Sequence, residues 1–283
     1  MTHVEGFSVG VVVLNYNNFR ETIKCVNSIL KQEMVAVTVV IVDNGSANES
    51  ADVLKNCFAS EENVTVLCND ENQGYAKGNN VGIKYLRRNG LTHIIVCNSD
   101  VEFSSSRIFT QMLSFNFDRV GTVIPIIKNL DGSTEMRAQC RRKMFLLRII
   151  KSLFIRIYRG QKNDSHGQPT GTGYLPAGVQ QEYNAITGSV FLLTPDFFRY
   201  YDGLFPKTFL YVEELATLTL VHKAGLYTAI ADTDDVIHTG GASTDANLKE
   251  GSPRKARMEA ESAKQVLGLV LTPRIFIKAR YGI

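Results

Sequence analysis

No stretch of this 283-residue sequence approaches the roughly 18 uninterrupted apolar residues of a membrane span, and the opening MTHVEGFSVG lacks a basic segment followed by an apolar one. The expectation is a protein neither exported nor threaded through a bilayer. Cysteine is scarce and shows no pairing pattern. Cys25, Cys57, Cys68, Cys97 and Cys140 are odd in number, widely spaced and free of any CxxC pair, which argues against a disulfide framework or a thiolate metal site. They read as reduced core residues of a cytosolic protein. A large charge excess is missing too, since a formal net charge of +3 is too small to imply a nucleic-acid partner. The sequence contains no GxGxxG dinucleotide fingerprint, no P-loop, no internal repeat and no linker signature. What is there, 44% apolar and 21% charged side chains, suits an ordinary globular protein with one large core or two small ones.

From Ser8 to about Lys128, short β-branched runs alternate with helical patterns, so the expected fold class is α/β with a mostly parallel, doubly wound sheet. The runs are Val9–Leu14, Val37–Val42, Val64–Leu67, His93–Cys97 and Val120–Ile127. Between them Ile23, Val26 and Leu30, then Ala51, Leu54 and Phe58, then Val81 and Tyr85 recur at helical spacing, giving each helix a face for the sheet. Farther on, Tyr183–Leu193 reads as a strand, Pro195–Tyr201 as a short helix and Leu210–Ala224 as a helix with an acidic first turn. One integrated domain is expected, with residues 1–130 as the strand-and-helix half, 131–176 as a basic segment and loop, and 177–283 as a second half with a C-terminal tail.

Ligands of open parallel sheets bind beyond the carboxyl ends of the strands. Those ends are Asn15-Tyr16-Asn17-Asn18, Asp43-Asn44-Gly45-Ser46, Asn69-Asp70 and Asn98-Ser99-Asp100, a polar set after an apolar strand four times over. Asn, Asp, Gly and Ser also make plain turns and helix caps, so each end alone has a second reading.

Seven segments in order, VVVLNYNN, VDNGS, NQGYAKGNNVGI, CNSDVEF, ITGSVFLLTPDFF, FLYVEE and VIHTGGAST, resemble the inverting glycosyltransferases of family 2, of the bacterial surface-polysaccharide, rhamnosyltransferase-like type. The likeness runs from Ser8 to about Thr244 and implies a GT-A fold. It implies a nucleoside-diphosphate sugar donor, either UDP- or dTDP-linked, a glycan or lipid-linked glycan acceptor, and Mg²⁺ or Mn²⁺.

Asp43 is placed to accept the imide N–H of a pyrimidine ring, with Asn15, Asn17 and Asn44 lining the nucleoside. Gly74 and Gly78 permit close backbone approach at a helix start, where Lys77, Asn79 and Asn80 offer polar arms; the resemblance sets this segment against the base and ribose. Asn98, Ser99 and Asp100 stand at the family's DXD motif with one aspartate surviving, and a hard cation that takes few protein carboxylates can rest on Asp100 alone. His238 matches a histidine near the metal or diphosphate in many relatives. Gly240 and Gly241, beside Ser243 and Thr244, suit a closing loop.

FLYVEE matches the acceptor-side acidic motif. Glu214 is expected as the base, ionised at neutral pH from a reference pKa of about 4.3, with Glu213 as support. Two departures, Ala216 for a later Asp and Leu220 for an Arg, leave open a non-catalytic nucleotide-sugar-binding or complex-organising subunit. A nucleotidyltransferase lacks its glycine- and basic-rich signature after the first strand.

Between Arg137 and Lys162, nine cationic side chains interleave with Phe, Leu and Ile and no acidic residue. This suits contact with an anionic membrane, which would place the protein in the cytoplasm, peripheral to the inner face of the cell membrane. A partly buried helix with snorkelling stems fits equally. A third reading is a surface for an acidic glycan. The following QKNDSHGQPTGTG reads as a loop at the mouth of the site.

Overall fold

The computed structural model describes residues 7–135, 138–158, 177–240 and 253–283. The first hundred residues alternate as expected through β1 (Ser8–Asn15), α1 (Phe19–Ile29), β2 (Ala36–Asp43), α2 (Ser50–Cys57), β3 (Val64–Cys68), α3 (Tyr75–Arg88) and β4 (Ile94–Asn98). Next come β5 (Val101–Phe103), α4 (Ile108–Met112), β6 (Val120–Ile124) and β7 (Ile127–Asn129). The expected strand Val120–Ile127 therefore breaks at Pro125, which has no N–H for a ladder. Then follow β8 (Ala138–Arg141), α5 (Phe145–Tyr158), β9 (Gly178–Gln180), β10 (Tyr183–Ile186), β11 (Val190–Leu193) and α6 (Pro195–Phe198). The expected single strand Tyr183–Leu193 is two, parted by the turn Thr187–Ser189. The chain closes with α7 (Glu213–Lys223), β12 (Tyr227–Ile230), β13 (Val236–His238), α8 (Pro253–Leu271) and α9 (Arg274–Tyr281).

Eight strands form the main sheet in the order β3-β2-β1-β4-β11-β6-β12-β9. β3, β2, β1 and β4 run parallel, whereas β11 is antiparallel to both β4 and β6, and β9 is antiparallel to β12. Parallel strands covered on both faces need apolar side chains on both. Val9, Val11 and Val13 of β1 face α1, α2 and α4 through Val26, Ile29, Leu54 and Phe109, while Val12 faces the cluster that holds α3, α5, α6, α7, α8 and α9. The middle of α7 lies inside that second layer, with every residue from Leu215 to Val221 buried, as an apolar stretch must be. Thr217 and Thr219 are tolerated there because each hydroxyl donates to a carbonyl one turn back.

A smaller sheet, β5-β13-β7, stands at the end of β4; β13 runs antiparallel to β5 and parallel to β7. Cys25 and Cys97 are core thiols 3.8 Å apart at sulfur. Cys57 and Cys68 are exposed, correcting the expectation that these two are core residues, and all four are free thiols. The side chain of Cys140 and the loop Gln161–Gly173 lie outside the described residues. Among the described residues no helix is long and apolar enough to cross a membrane.

Candidate active site

The sheet registers bring the polar strand ends together. Asn15 pairs with Asp43 across β1 and β2, and Leu14 pairs with Asn98 across β1 and β4. Asp43 is buried, and three of its roughly four lone-pair sites are filled. Oδ2 accepts from Asn15 Nδ2 and from Ser46 Oγ, both at 2.7 Å, and Oδ1 accepts the Ser46 N–H at 3.0 Å. One direction on Oδ1 is left for a ligand.

Several residues expected to line the nucleoside are instead used by the fold. Asn15 spends its amide on Asp43, on Ser46 and, through Oδ1, on Thr22, so it clamps Asp43. Asn17 is exposed, sits at φ 56° and ties the β1 loop to the β2 loop through Ser46, Ala47 and Asn48. The buried Asn44 amide holds Asn69, Asn72, Gln73 and Gly74, organising the loop after β3. Gly74, at φ 82°, is needed because a Cβ there would stand 2.4 Å from the Phe209 carbonyl oxygen, which the Tyr75 N–H meets at 2.8 Å. Asn80 grips the backbone of Leu204 with both amide atoms. Lys77 is exposed on the first turn of α3, and Asn79 is buried, donating to the Tyr75 carbonyl with its own oxygen left without a partner among the described residues.

Asn98 contributes its backbone, donating to the Ser189 carbonyl at 2.8 Å. The Ser99 hydroxyl is buried and without a partner among the described residues. Asp100 is buried in the turn just before β5, and the pairing of His238 with Val101 carries the imidazole to it. His238 Nε2 lies 3.3 Å from Asp100 Oδ1, and Nδ1 lies 3.2 Å from Glu135 Oε2. Burial opposes charge on this imidazole, but the hydrogen bonds and charges of Asp100 and Glu135 outweigh it and raise its pKa to about 10. Glu135 is absent from the motif reading. Its signal was the Asp131-Gly132 reversal after β7, which folds the chain back so that the Glu135 N–H meets the Ile127 carbonyl.

At the mouth of α7, Tyr211 and Val212 sit at φ 70° and 69°, a left-handed entry that is costly for a β-branched residue and is stored strain beside two carboxyls. Glu213 Oε1 is buried without a partner among the described residues. Burial first, then the charge of Glu214, pushes Glu213 up to about 8, which keeps it largely protonated at neutral pH beside the expected base. Glu214 is also raised, chiefly by burial, with Arg156 of α5 opposing the rise. Tyr75 lies among these groups. Its hydroxyl donates to the Gly188 carbonyl, and burial, then the charges of Glu213, Cys97, Glu214 and Glu135, hold its phenol well above the usual value. Ala216 and Leu220 are buried apolar residues of α7.

Among the described residues no three His, Cys, Asp or Glu side chains converge as a complete metal cage. Two donors do converge. A 3.3 Å gap between a carboxylate oxygen and an imidazole nitrogen is close to the edge spanned by neighbouring ligands of an octahedral cation with bonds of about 2.1 Å. The pair fits a divalent ion that displaces the proton held between Nε2 and Oδ1 and is completed by phosphate oxygens and water.

The model of glycosyl transferase family 2 matches residues 10–176. A glycosyltransferase of Streptococcus pneumoniae serotype 4, GlyG, is 30% identical over 93 residues, which are 33% of this chain and 30% of that protein. The chain thus spans under a third of the length of that curated relative. The crystal structure of S. aureus TarS 1–349 superposes with a TM-score of 0.53 at 14% identity, over 97% of this chain and 73% of that one. That of GalNAc-T7 with UDP, GalNAc and Mn²⁺ gives 0.58 at 12% identity, over 97% and 57%. At these identities the likeness is one of fold, and the fold is GT-A.

Proposed function

Because the chain belongs to glycosyl transferase family 2, we propose that it moves a sugar from a UDP- or dTDP-sugar to a hydroxyl of a glycan or lipid-linked glycan, with inversion, in surface polysaccharide synthesis. The observation that carries this reading is the convergence of Asp100 and His238 at one strand end, with Glu213 and Glu214 gathered across Tyr75. Asp43 Oδ1 accepts the imide N–H of the pyrimidine, held in aim by Asn15 and Ser46. Asp100 and His238 would hold Mg²⁺ or Mn²⁺, whose charge would offset that of the donor diphosphate. Glu214 takes the acceptor proton as the acceptor oxygen bonds to the anomeric carbon and the bond to the diphosphate breaks. Glu213, protonated at neutral pH, keeps a second negative charge away from that base. The acid-free face of α5 rests on an anionic membrane at the cytoplasmic side.

The test is binding of UDP, dTDP, GDP and CDP, each with and without Mn²⁺, by calorimetry and thermal shift on wild type and Asp100→Ala. Metal-dependent stabilisation by one pyrimidine diphosphate, lost in Asp100→Ala, is the expected result; no binding by any of the four removes the reading. A second reading, a nucleotide-sugar-binding subunit without turnover, draws on Ala216 and Leu220, buried apolar residues of α7 where the family resemblance implies an Asp and an Arg. Sugar transfer to a panel of acceptors, abolished in Glu214→Gln with donor binding intact, separates the two.

A further inference from the structure

Glu135 has no part in the roles above, yet its carboxylate is set from two sides. Ser189 Oγ donates to Oε2 at 2.7 Å, and the same oxygen lies 3.2 Å from His238 Nδ1. Ser189 is itself buried, and its carbonyl accepts the Asn98 N–H from the end of β4. The Thr187–Ser189 turn therefore fixes the carboxylate relative to the strand end that presents Asp100. The imidazole stands between Glu135 and Asp100, with one ring nitrogen facing each. Glu135 Oε2 thus lies on the opposite side of the ring from the Asp100 carboxylate and is not placed to share a cation with it. A carboxylate on Nδ1 keeps a proton there, so that a cation arriving beside Asp100 displaces only the Nε2 proton and meets the Nε2 lone pair.

We propose that Glu135, fixed by Ser189, is a positioning residue that holds His238 in the tautomer and ring orientation in which Nε2 joins Asp100 on the divalent cation. This rests on the metal reading given under the proposed function. It assigns a use to the ITGS segment and joins the Asp131-Gly132 reversal to the metal position.

The test is Mn²⁺ binding to the full chain, followed by the EPR signal of free Mn²⁺ with and without UDP, and by pulsed EPR for imidazole nitrogen on the bound ion. The proteins are wild type, Glu135→Ala, Glu135→Gln, His238→Ala and the Glu135→Ala/His238→Ala double variant, each checked for its thermal transition. Glu135→Ala is expected to weaken Mn²⁺ binding by about 10- to 100-fold and to lose the nitrogen signal. Glu135→Gln recovers most of that loss, because one amide oxygen can accept from both Ser189 and His238. In the His238→Ala background, Glu135→Ala costs nothing further. Undiminished affinity and nitrogen signal in Glu135→Ala, or an equal loss without His238, overturns the positioning role and leaves the metal reading standing. Failure of wild type to bind Mn²⁺ under either condition overturns both.

Discussion

Glu213 begins α7, where a helix N-terminus favours negative charge by about 0.3–1 kcal/mol at exposed sites. Burial and the neighbouring Glu214 charge overcome that preference and carry its pKa from 4.5 to about 8. The sign for stability follows. Between these values the folded state holds a proton that the unfolded state has released, so stability conferred by the protonated form is lost as pH rises through about 8. Glu213→Gln removes this loss. Its melting temperature should match wild type near pH 5, rise above it progressively toward pH 8 and keep a constant lead beyond, at about 2–4 °C per kcal/mol for a chain of this size. A gap that is flat from pH 5 to 9 would show that Glu213 titrates normally. Glu214→Gln belongs to the same scale. Loss of a general base should lower the rate constant for transfer by about 10²-fold or more while the donor dissociation constant stays within a factor of two or so of wild type, read by kinetics and calorimetry on one preparation.

At the scale of elements, the Gly78-Gly82 face of α3 decides how closely the helix approaches the sheet. A Cβ on Gly82 would stand 2.6 Å from Val12 Cγ1 and 3.2 Å from Val42 Cγ2, and one on Gly78 would stand 2.7 Å from Leu14 Cδ1. Gly82→Ala gains about 1 kcal/mol of helix propensity and meets an overpacking cost of about 1–3 kcal/mol, so a net loss of stability of about 1 kcal/mol is expected in urea denaturation. A stabilised variant would mean that the helix can rise without penalty. This face also shows where sequence reading reaches its limit. Apolar periodicity made β1 to β4 and the helices between them legible, and strand polarity placed Asp43, Asn98 and Asp100 at one rim. It did not tell which amides at that rim face outward. Asn15, Asn44 and Asn80 satisfy loop backbones and neighbouring side chains, a use of asparagine that has the same composition as a binding loop. Glu135 was missed because its partners, His238 and Ser189, lie more than fifty residues away in sequence and meet it only once β7, β13 and the turn before β11 are in place.

Across the whole molecule, apolar surface and positive charge coincide on the outward side of α5. The helix buries Ile149 and Leu153 against α8, yet Leu147 is 72% and Tyr158 76% exposed, with Lys151 and Phe154 between them. The snorkelling-helix reading explains the buried stripe and leaves the exposed one without a partner among the described residues. Phe154 and Tyr158 stack at 5.6 Å, pre-ordering an aromatic pair that suits the level of lipid headgroups. The C-terminal helix repeats the combination, since α9 exposes Ile275 and Phe276 beside Arg274, Lys278 and Arg280 and has no acidic residue. Attraction to an anionic surface is worth about 1 kcal/mol per basic residue near it and falls with salt. Wild type should therefore co-float with phosphatidylserine vesicles, weakly with pure phosphatidylcholine, and lose binding as salt is raised. Leu147→Ser with Phe154→Ser removes the apolar contact and Lys151→Glu reverses a charge; each change should lower partitioning by about tenfold or more, on the same per-residue scale. Transfer to a short water-soluble acceptor should be unaffected by either, because both alter the outward stripe and spare Arg156, whose charge acts on Glu214. Equal flotation of wild type and both variants would return α5 to the role of a packed helix whose cations meet only water.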